Sequence, residues 1–157
     1  MFIESLEGRR MLSAVKFVAP LLASAEVPPN ASPAKGTAKL VLSKDGSSLR
    51  FTLKAKKIQN VMMAHIHVGP VGQDGEIVVD LFGAGPPRHG HNKVASRGIL
   101  TAAQLTGSLA GHTLADLVAQ MTAGGTYVNV HTDDGVPPPN TGPGDFPGGE
   151  VRGQLEG

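Results

Sequence analysis

Residues 37–54 read TAKLVLSKDGSSLRFTLK, and no other stretch constrains the fold as much. Two runs of alternating apolar and polar residues flank an Asp-Gly pair, the strongest short-range signal of an antiparallel hairpin. Period 2 places Leu40, Leu42, Leu49, Phe51 and Leu53 on one face and Lys39, Ser43, Arg50, Thr52 and Lys54 on the other. The same punctuation continues along the chain. Strands are predicted at 15–22, 61–68, 76–82, 93–99, 126–132 and 149–155, separated by turns drawn from 21 Gly and 12 Pro. Eight short strands in 157 residues point to one all-β antiparallel domain, a sandwich or barrel.

One helix interrupts the strands. Thr113 caps it with Asp116 three residues on, and Leu114, Leu117, Val118 and Met121 form its apolar stripe before Gly124-Gly125 ends it. A shorter helical turn is expected at 101–105, TAAQL. Residues 133–149, DDGVPPPNTGPGDFPGG, hold too many prolines for a central strand and read as a long, mobile surface loop. Its three aspartates lack the alternating spacing of a calcium loop.

Charge is unevenly placed. Residues 1–60 carry ten Lys and Arg against four Asp and Glu, and the remainder carry four against nine. Lys54, Lys56 and Lys57 have no stacking aromatics or reading motif nearby, so nucleic acid is not an expected partner and a solvated strand face is. The absence of cysteine excludes disulfides, thiolate metal sites and Cys nucleophiles. No apolar run is long enough to span a bilayer as a helix. The segment MLSAVKFVAPLLASAEV has the small-residue ending of a secretory cleavage site at Ala23-Ser24-Ala25. Lys16 and Pro20 interrupt its apolar run, and 15–22 reads better as the first strand.

The opening MFIESLEGRRMLSA resembles the LEPR-type sorting motif of planctomycete secreted and surface proteins through Phe2, Leu6, Glu7, Arg9, Leu12, Ser13 and Ala14, with Gly8 where that motif has proline. Five further segments fall into one order: AEVPP at 25–29, AHIHVGPVGQDGEIVVDL at 64–81, GILTAAQL at 98–105, YVNVHT at 127–132 and GGEVRGQL at 148–155. Together they resemble the CHRD domain, a module named after chordin and widespread in bacterial exported proteins. The resemblance implies residues 1–14 as an export motif and 15–157 as a CHRD domain. It also implies an immunoglobulin-like or superoxide-dismutase-like β-sandwich, placed on the cell surface or secreted, with an extracellular ligand it does not specify.

Strict alternation in VMMAHIHV puts Met63, His65 and His67 on one face and Met62, Ala64, Ile66 and Val68 on the other. In TYVNVHT, Val128 and Val130 point inward, leaving Tyr127, Asn129 and His131 outward. In GEVRGQLEG, Val151 and Leu155 leave Glu150, Arg152 and Gln154 outward, expected to pair across strands. If strands 61–68 and 126–132 are neighbours, His65, His67 and His131 can converge on one ion. Imidazole donors would then favour Cu(II) or Zn(II) over Ca or Mg. The H-x-H pair with a later histidine is similar to the copper site of copper–zinc superoxide dismutases, a family that has more histidines and a disulfide. His89 and His91 are candidates for a fourth ligand, and His112 is expected to be exposed. The alternative is a half-solvated sheet face whose histidines bond to Glu150, Asn129 or water.

No Ser-His-Asp set, nucleophile elbow or phosphate loop is present, and an enzymatic role is not expected. The main expectation is an exported binding or structural module. Its rival is a mononuclear copper or zinc protein with possible redox chemistry at His65, His67 and His131.

Overall fold

The computed structural model describes residues 14–82 and 92–157; the segment 1–14 read as a sorting motif, apart from Ala14, and both His89 and His91 lie outside the described residues. The strands are β1 (Lys16–Leu22), β2 (Lys35–Leu42), β3 (Leu49–Lys56), β4 (Val61–Val68), β5 (Glu76–Phe82), β6 (Lys93–Leu100), β7 (Thr126–Thr132) and β8 (Val151–Gln154), with one helix, α1 (Leu114–Thr122). All strand pairs are antiparallel, in the order β5-β4-β7-β8-β1-β2-β3-β6. The sheet curls into a near-closed barrel or sandwich.

Local chemistry accounts for the element ends. Between β2 and β3 the Asp45 carboxylate accepts from Ser47 N at 3.0 Å and from the Ser43 and Ser47 hydroxyls at 2.7 Å, an Asx-type closure of the turn. Thr113 and Asp116 form the expected reciprocal capping box at the start of α1. The TAAQL segment makes a single 3₁₀ turn capped in the same way by Thr101 and Gln104. β8 is shorter than the 149–155 expected of it, because the chain is still turning at Gly149, where Gly149 N donates to Phe146 O.

The seam between β8 and β1 is narrow. Leu22 pairs with Arg152, and an isolated bridge joins Val18 to Glu156. A Cβ on Gly153 would lie 2.0 Å from the Pro20 carbonyl oxygen, so glycine is what lets the two strands close. The sheet is thus two four-stranded halves, β5-β4-β7-β8 and β1-β2-β3-β6, folded about this seam over one core. Leu40, Leu49 and Leu53 enter the core from one half, Ala64, Ile66, Val128, Val130 and Val151 from the other, and Leu117 and Met121 from α1. Full burial of each Leu or Ile contributes about 1.5–3 kcal/mol, which explains why the apolar faces fix the register.

The outer faces of the halves differ. On β2, β3 and β6 the outward residues meet solvent, as the hairpin pattern predicts. On β4, β7 and β8 they do not, and every residue of β7 is buried. The expected wet face is therefore corrected to a buried polar layer. Connections at 23–34, 69–75 and 133–150 lie over it and bond to it. The 133–149 segment is not a detached surface loop: Gly144 N donates to Glu150 Oε2 (3.0 Å), Phe146 N to Thr132 Oγ1 (3.0 Å) and Thr132 N to Phe146 O (3.2 Å). Proline kept this segment out of the sheet, as expected, while its carbonyls and amides serve as the lid of the layer.

Candidate metal centre

The pairing that the three-histidine reading requires is present: β4 lies beside β7, and β7 beside β8. Across the three strands the polar residues align in rows, His67–Tyr127–Gln154 and His65–Asn129–Arg152, with His131 opposite Met63. The face assignments made from period 2 hold, and so does the adjacency on which convergence depends. His65, His67 and His131 are 5%, 8% and 6% exposed. One ring nitrogen from each lies within 4.8 Å of the others.

The outer nitrogens of the three rings are tied to acceptors. His67 Nδ1 donates to the Gly75 carbonyl (2.9 Å) and His131 Nδ1 to the Pro147 carbonyl (2.8 Å). His65 Nε2 faces the Asp80 carboxylate at 3.4 Å. A carbonyl can only accept, so His67 Nδ1 and His131 Nδ1 carry the ring protons and their Nε2 atoms present lone pairs. The inner atoms are His65 Nδ1, His67 Nε2 and His131 Nε2. His65 Nδ1 donates to His131 Nε2 at 3.1 Å, and His67 Nε2 is buried with no hydrogen-bond partner. Three ring nitrogens gathered out of water, one of them an unpartnered lone pair, form a pocket that could hold a cation.

That cation can be a proton or a metal ion, and burial decides between them. Desolvation lowers the pKa of His65, reinforced by His67 and opposed by Asp80. Desolvation likewise lowers His67, against the Gly75 bond. His131 is lowered to about 4, again first by burial, with the Pro147 carbonyl opposing and the other two histidines adding to the shift. At neutral pH the rings stay unprotonated, which is the form that ligates. Two nitrogens bound to one tetrahedral ion at ~2.0–2.1 Å stand ~3.3 Å apart, close to the observed separation of the first pair. Acceptors held on the outer nitrogens by a carboxylate or carbonyl are the usual support of metal-binding histidines.

The wall beside His67 is Tyr127, whose ring stacks on the imidazole at 4.7 Å and 8°. The Tyr127 hydroxyl accepts from Gly75 N at 2.9 Å, so one residue fixes both the ring and the turn that orients it. Arg152 lies 3.4 Å from the Tyr127 ring centroid and donates to the carbonyls of Pro70 (3.0 Å) and Gln73 (2.8 Å) and to Asp74 (3.3 Å). Cross-strand pairing of Glu150, Arg152 and Gln154 is therefore corrected. Arg152 is 1% exposed and clamps the 69–75 turn; Glu150 is fully buried and accepts from Ser32, Thr132 and Gly144. Gln154 donates to the carbonyls of Gly69 and Gly124. The histidines bond to one another and to main-chain carbonyls, and not to Glu150 or Asn129, which the solvated-face alternative named beside water.

Four participants were hidden in the sequence. Asp80 faces His65 because β5 carries two register shifts against β4, between Ala64 and His65 and between Ile66 and His67, which strict alternation cannot anticipate. Glu26 sits in the AEVPP connection, 5% exposed, with both carboxyl oxygens 3.0 Å from Asn129 Nδ2. Gly75 and Pro147 act through main-chain carbonyls, which no side-chain pattern reveals. His112 is exposed, as expected, and bonds to Asp116 at 3.0 Å. The loop aspartates Asp133, Asp134 and Asp145 also come within 4.8 Å of one another, with Asp145 Oδ2 already held by the Thr141 amide and hydroxyl.

No curated protein matches the chain. The family model of the CHRD domain matches residues 17–155, nearly the whole of the described sheet, and the chain belongs to the CHRD-domain family.

Proposed function

We propose that this chain is an exported CHRD module that binds one transition-metal ion, copper or zinc, on His65, His67 and His131. The observation that carries the reading is the set of three inward ring nitrogens, two of them sharing at 3.1 Å a proton that a bound ion would displace and the third, His67 Nε2, orphaned. The extracellular setting is supported by CHRD-family membership. Imidazole nitrogens suit Cu(II) and Zn(II), and three of them leave one coordination position to water or a small exogenous ligand. A bound copper ion would supply one-electron chemistry there. The chain's own part is to hold the rings in the ligating tautomer through Gly75, Pro147 and Asp80, and to screen them from bulk water. Among the described residues, no helix is long and apolar enough to cross a membrane.

The test is a calorimetric titration of tag-free, chelator-stripped protein with Cu(II) and with Zn(II) at pH 7.5, repeated on His65→Ala, His67→Ala and His131→Ala. One equivalent should bind, and each variant should lose at least a hundredfold in affinity, since two histidines make a weak chelate. A lack of stoichiometric binding with both ions, or small independent losses in the three variants, would leave the histidines as a buried hydrogen-bonding layer only.

A further inference from the structure

On the other half of the sheet, the outward positions of β1, β2, β3 and β6 form a regular four-by-four grid set by the register. One row reads Leu22–Lys35–Lys56–Lys93, the next Pro20–Thr37–Lys54–Ala95, then Val18–Lys39–Thr52–Arg97, and the last Lys16–Val41–Arg50–Ile99. Half of the sixteen positions are cationic and none is acidic. All eight cations are exposed, and none makes an ion pair among the described residues. Lys35, Lys56 and Lys93 stand directly opposite one another on three adjacent strands, an arrangement that destabilises a sheet in isolation. Stability alone would not place them so. Over these lysines runs an open groove of about 750 Å³, its floor made of small residues such as Gly36, Thr37 and Ala95.

We infer that this face binds a linear acidic polysaccharide, a hydroxyl-rich chain carrying carboxylate or sulfate groups. Rows at the ~4.8 Å strand spacing and ~7 Å apart along each strand match closely spaced anions on a flexible chain, where counterion release rewards each neutralised charge. Six of the eight cations are lysines, which act as point charges and do not demand the fixed bidentate geometry of arginine. A single-stranded nucleic acid is the weaker occupant. The grid has no aromatic to stack on a base, Phe17 and Phe51 point into the core, and Tyr127 is buried in the other half. Among the described residues the acidic side chains are scattered over β5, α1 and the loops, so there a second copy offers no acidic face of matching extent.

The full-length protein is titrated, by fluorescence anisotropy at 0.05–0.3 M NaCl, into labelled heparin, labelled polygalacturonate, a labelled single-stranded oligonucleotide of equal charge and phosphatidylserine-containing vesicles. The same is done with Lys35→Gln/Lys56→Gln/Lys93→Gln and, as an off-face control, Lys44→Gln. At least one polysaccharide should bind more tightly per charge than the oligonucleotide and the vesicles. The triple variant should lose at least tenfold at 0.15 M salt, and the slope of log K against log salt should shrink by roughly 2–3. The control should move little. Relief of repulsion should leave the melting temperature of the triple variant equal or higher, which separates lost binding from lost folding. Absence of binding even at 0.05 M salt, an unaffected triple variant, or equal binding to oligonucleotide or vesicles overturns the inference.

Discussion

Replacing Glu26 with Gln should stabilise the metal-free protein by an amount that grows with pH. Glu26 is buried, and desolvation raises its pKa from 4.5 to about 8, against the lowering effects of the Asn129 bond and the Arg152 charge. The folded chain therefore keeps a proton that the unfolded chain sheds. The stability this confers is complete below about pH 4.5 and is lost as pH rises through about 8. At ~1.4 kcal/mol per pKa unit, the carboxylate costs ~3 kcal/mol at pH 7 and ~5 kcal/mol above pH 8.5. Glutamine removes that cost and keeps the geometry. Its amide can accept from Asn129 Nδ2 as the carboxyl does, and it also brings a donor for Asn129 Oδ1, which is buried with no partner. Urea unfolding of both proteins at pH 4.5, 6, 7 and 8.5 measures the difference directly. The histidine contributions are common to both and cancel. A difference near zero at pH 4.5, rising to several kcal/mol at pH 8.5, is expected. A pH-independent difference, or a variant less stable at pH 8.5, would refute the view that Glu26 folds as a neutral acid.

The metal-free protein should also show an acid limb: with His131 lowered to about 4, its stability contribution is present above ~pH 6.5 and lost as pH falls through 4, a change of ~3 kcal/mol. Glu26 gains stability over the same range in both proteins and cancels in their difference, so in urea unfolding at pH 7, 5.5 and 4.5 the parent should lose ~2–3 kcal/mol relative to His131→Gln as pH falls. Arg152→Lys should cost about 2–4 kcal/mol in urea unfolding with little change in m, because an ammonium cannot both cover Tyr127 and reach the Pro70 and Gln73 carbonyls.

Much of the fold could be read from alternation and turn chemistry. β4 and β5 have the bounds their patterns predict, the β2–β3 hairpin closes on Asp45, and Thr113 caps α1 as expected. Period 2 also placed His65, His67 and His131 on one side of their strands. What it could not tell was the environment of that side. Whether a strand face meets water depends on segments distant in sequence, here 23–34, 69–75 and 133–150, whose contacts run largely through main-chain carbonyls. A proline-rich stretch announces that it will not join the sheet and says nothing about where it will pack. Asp80 was hidden for a different reason. Its position opposite His65 comes from bulges, which break the periodicity on which the face assignment rests.

The energetic character of this layer bears on why a metal would be there at all. Buried polar groups stabilise a fold when every member is satisfied and weaken it when some are not. Arg152, Glu150 and Gln154 are satisfied, by carbonyls, hydroxyls and amides from the covering loops. The histidine corner, like Asn129 Oδ1, is not: two outer nitrogens are bonded to carbonyls and the inner pair shares one hydrogen bond, while His67 Nε2 has no partner. Filling that corner with leucine would remove the conflict but would also strand the Gly75 and Pro147 carbonyls. An ion resolves it without either loss. Because His65 and His67 come from β4, His131 from β7, and their outer partners from the 69–75 turn and the 133–150 loop, the ion would cross-link the sheet to its own lid. A bound ion would order the lid over β7, so hydrogen exchange at Gly75 and in 144–149 should slow when the ion is bound, while the β2–β3 hairpin, on the other half of the sheet, should exchange as before.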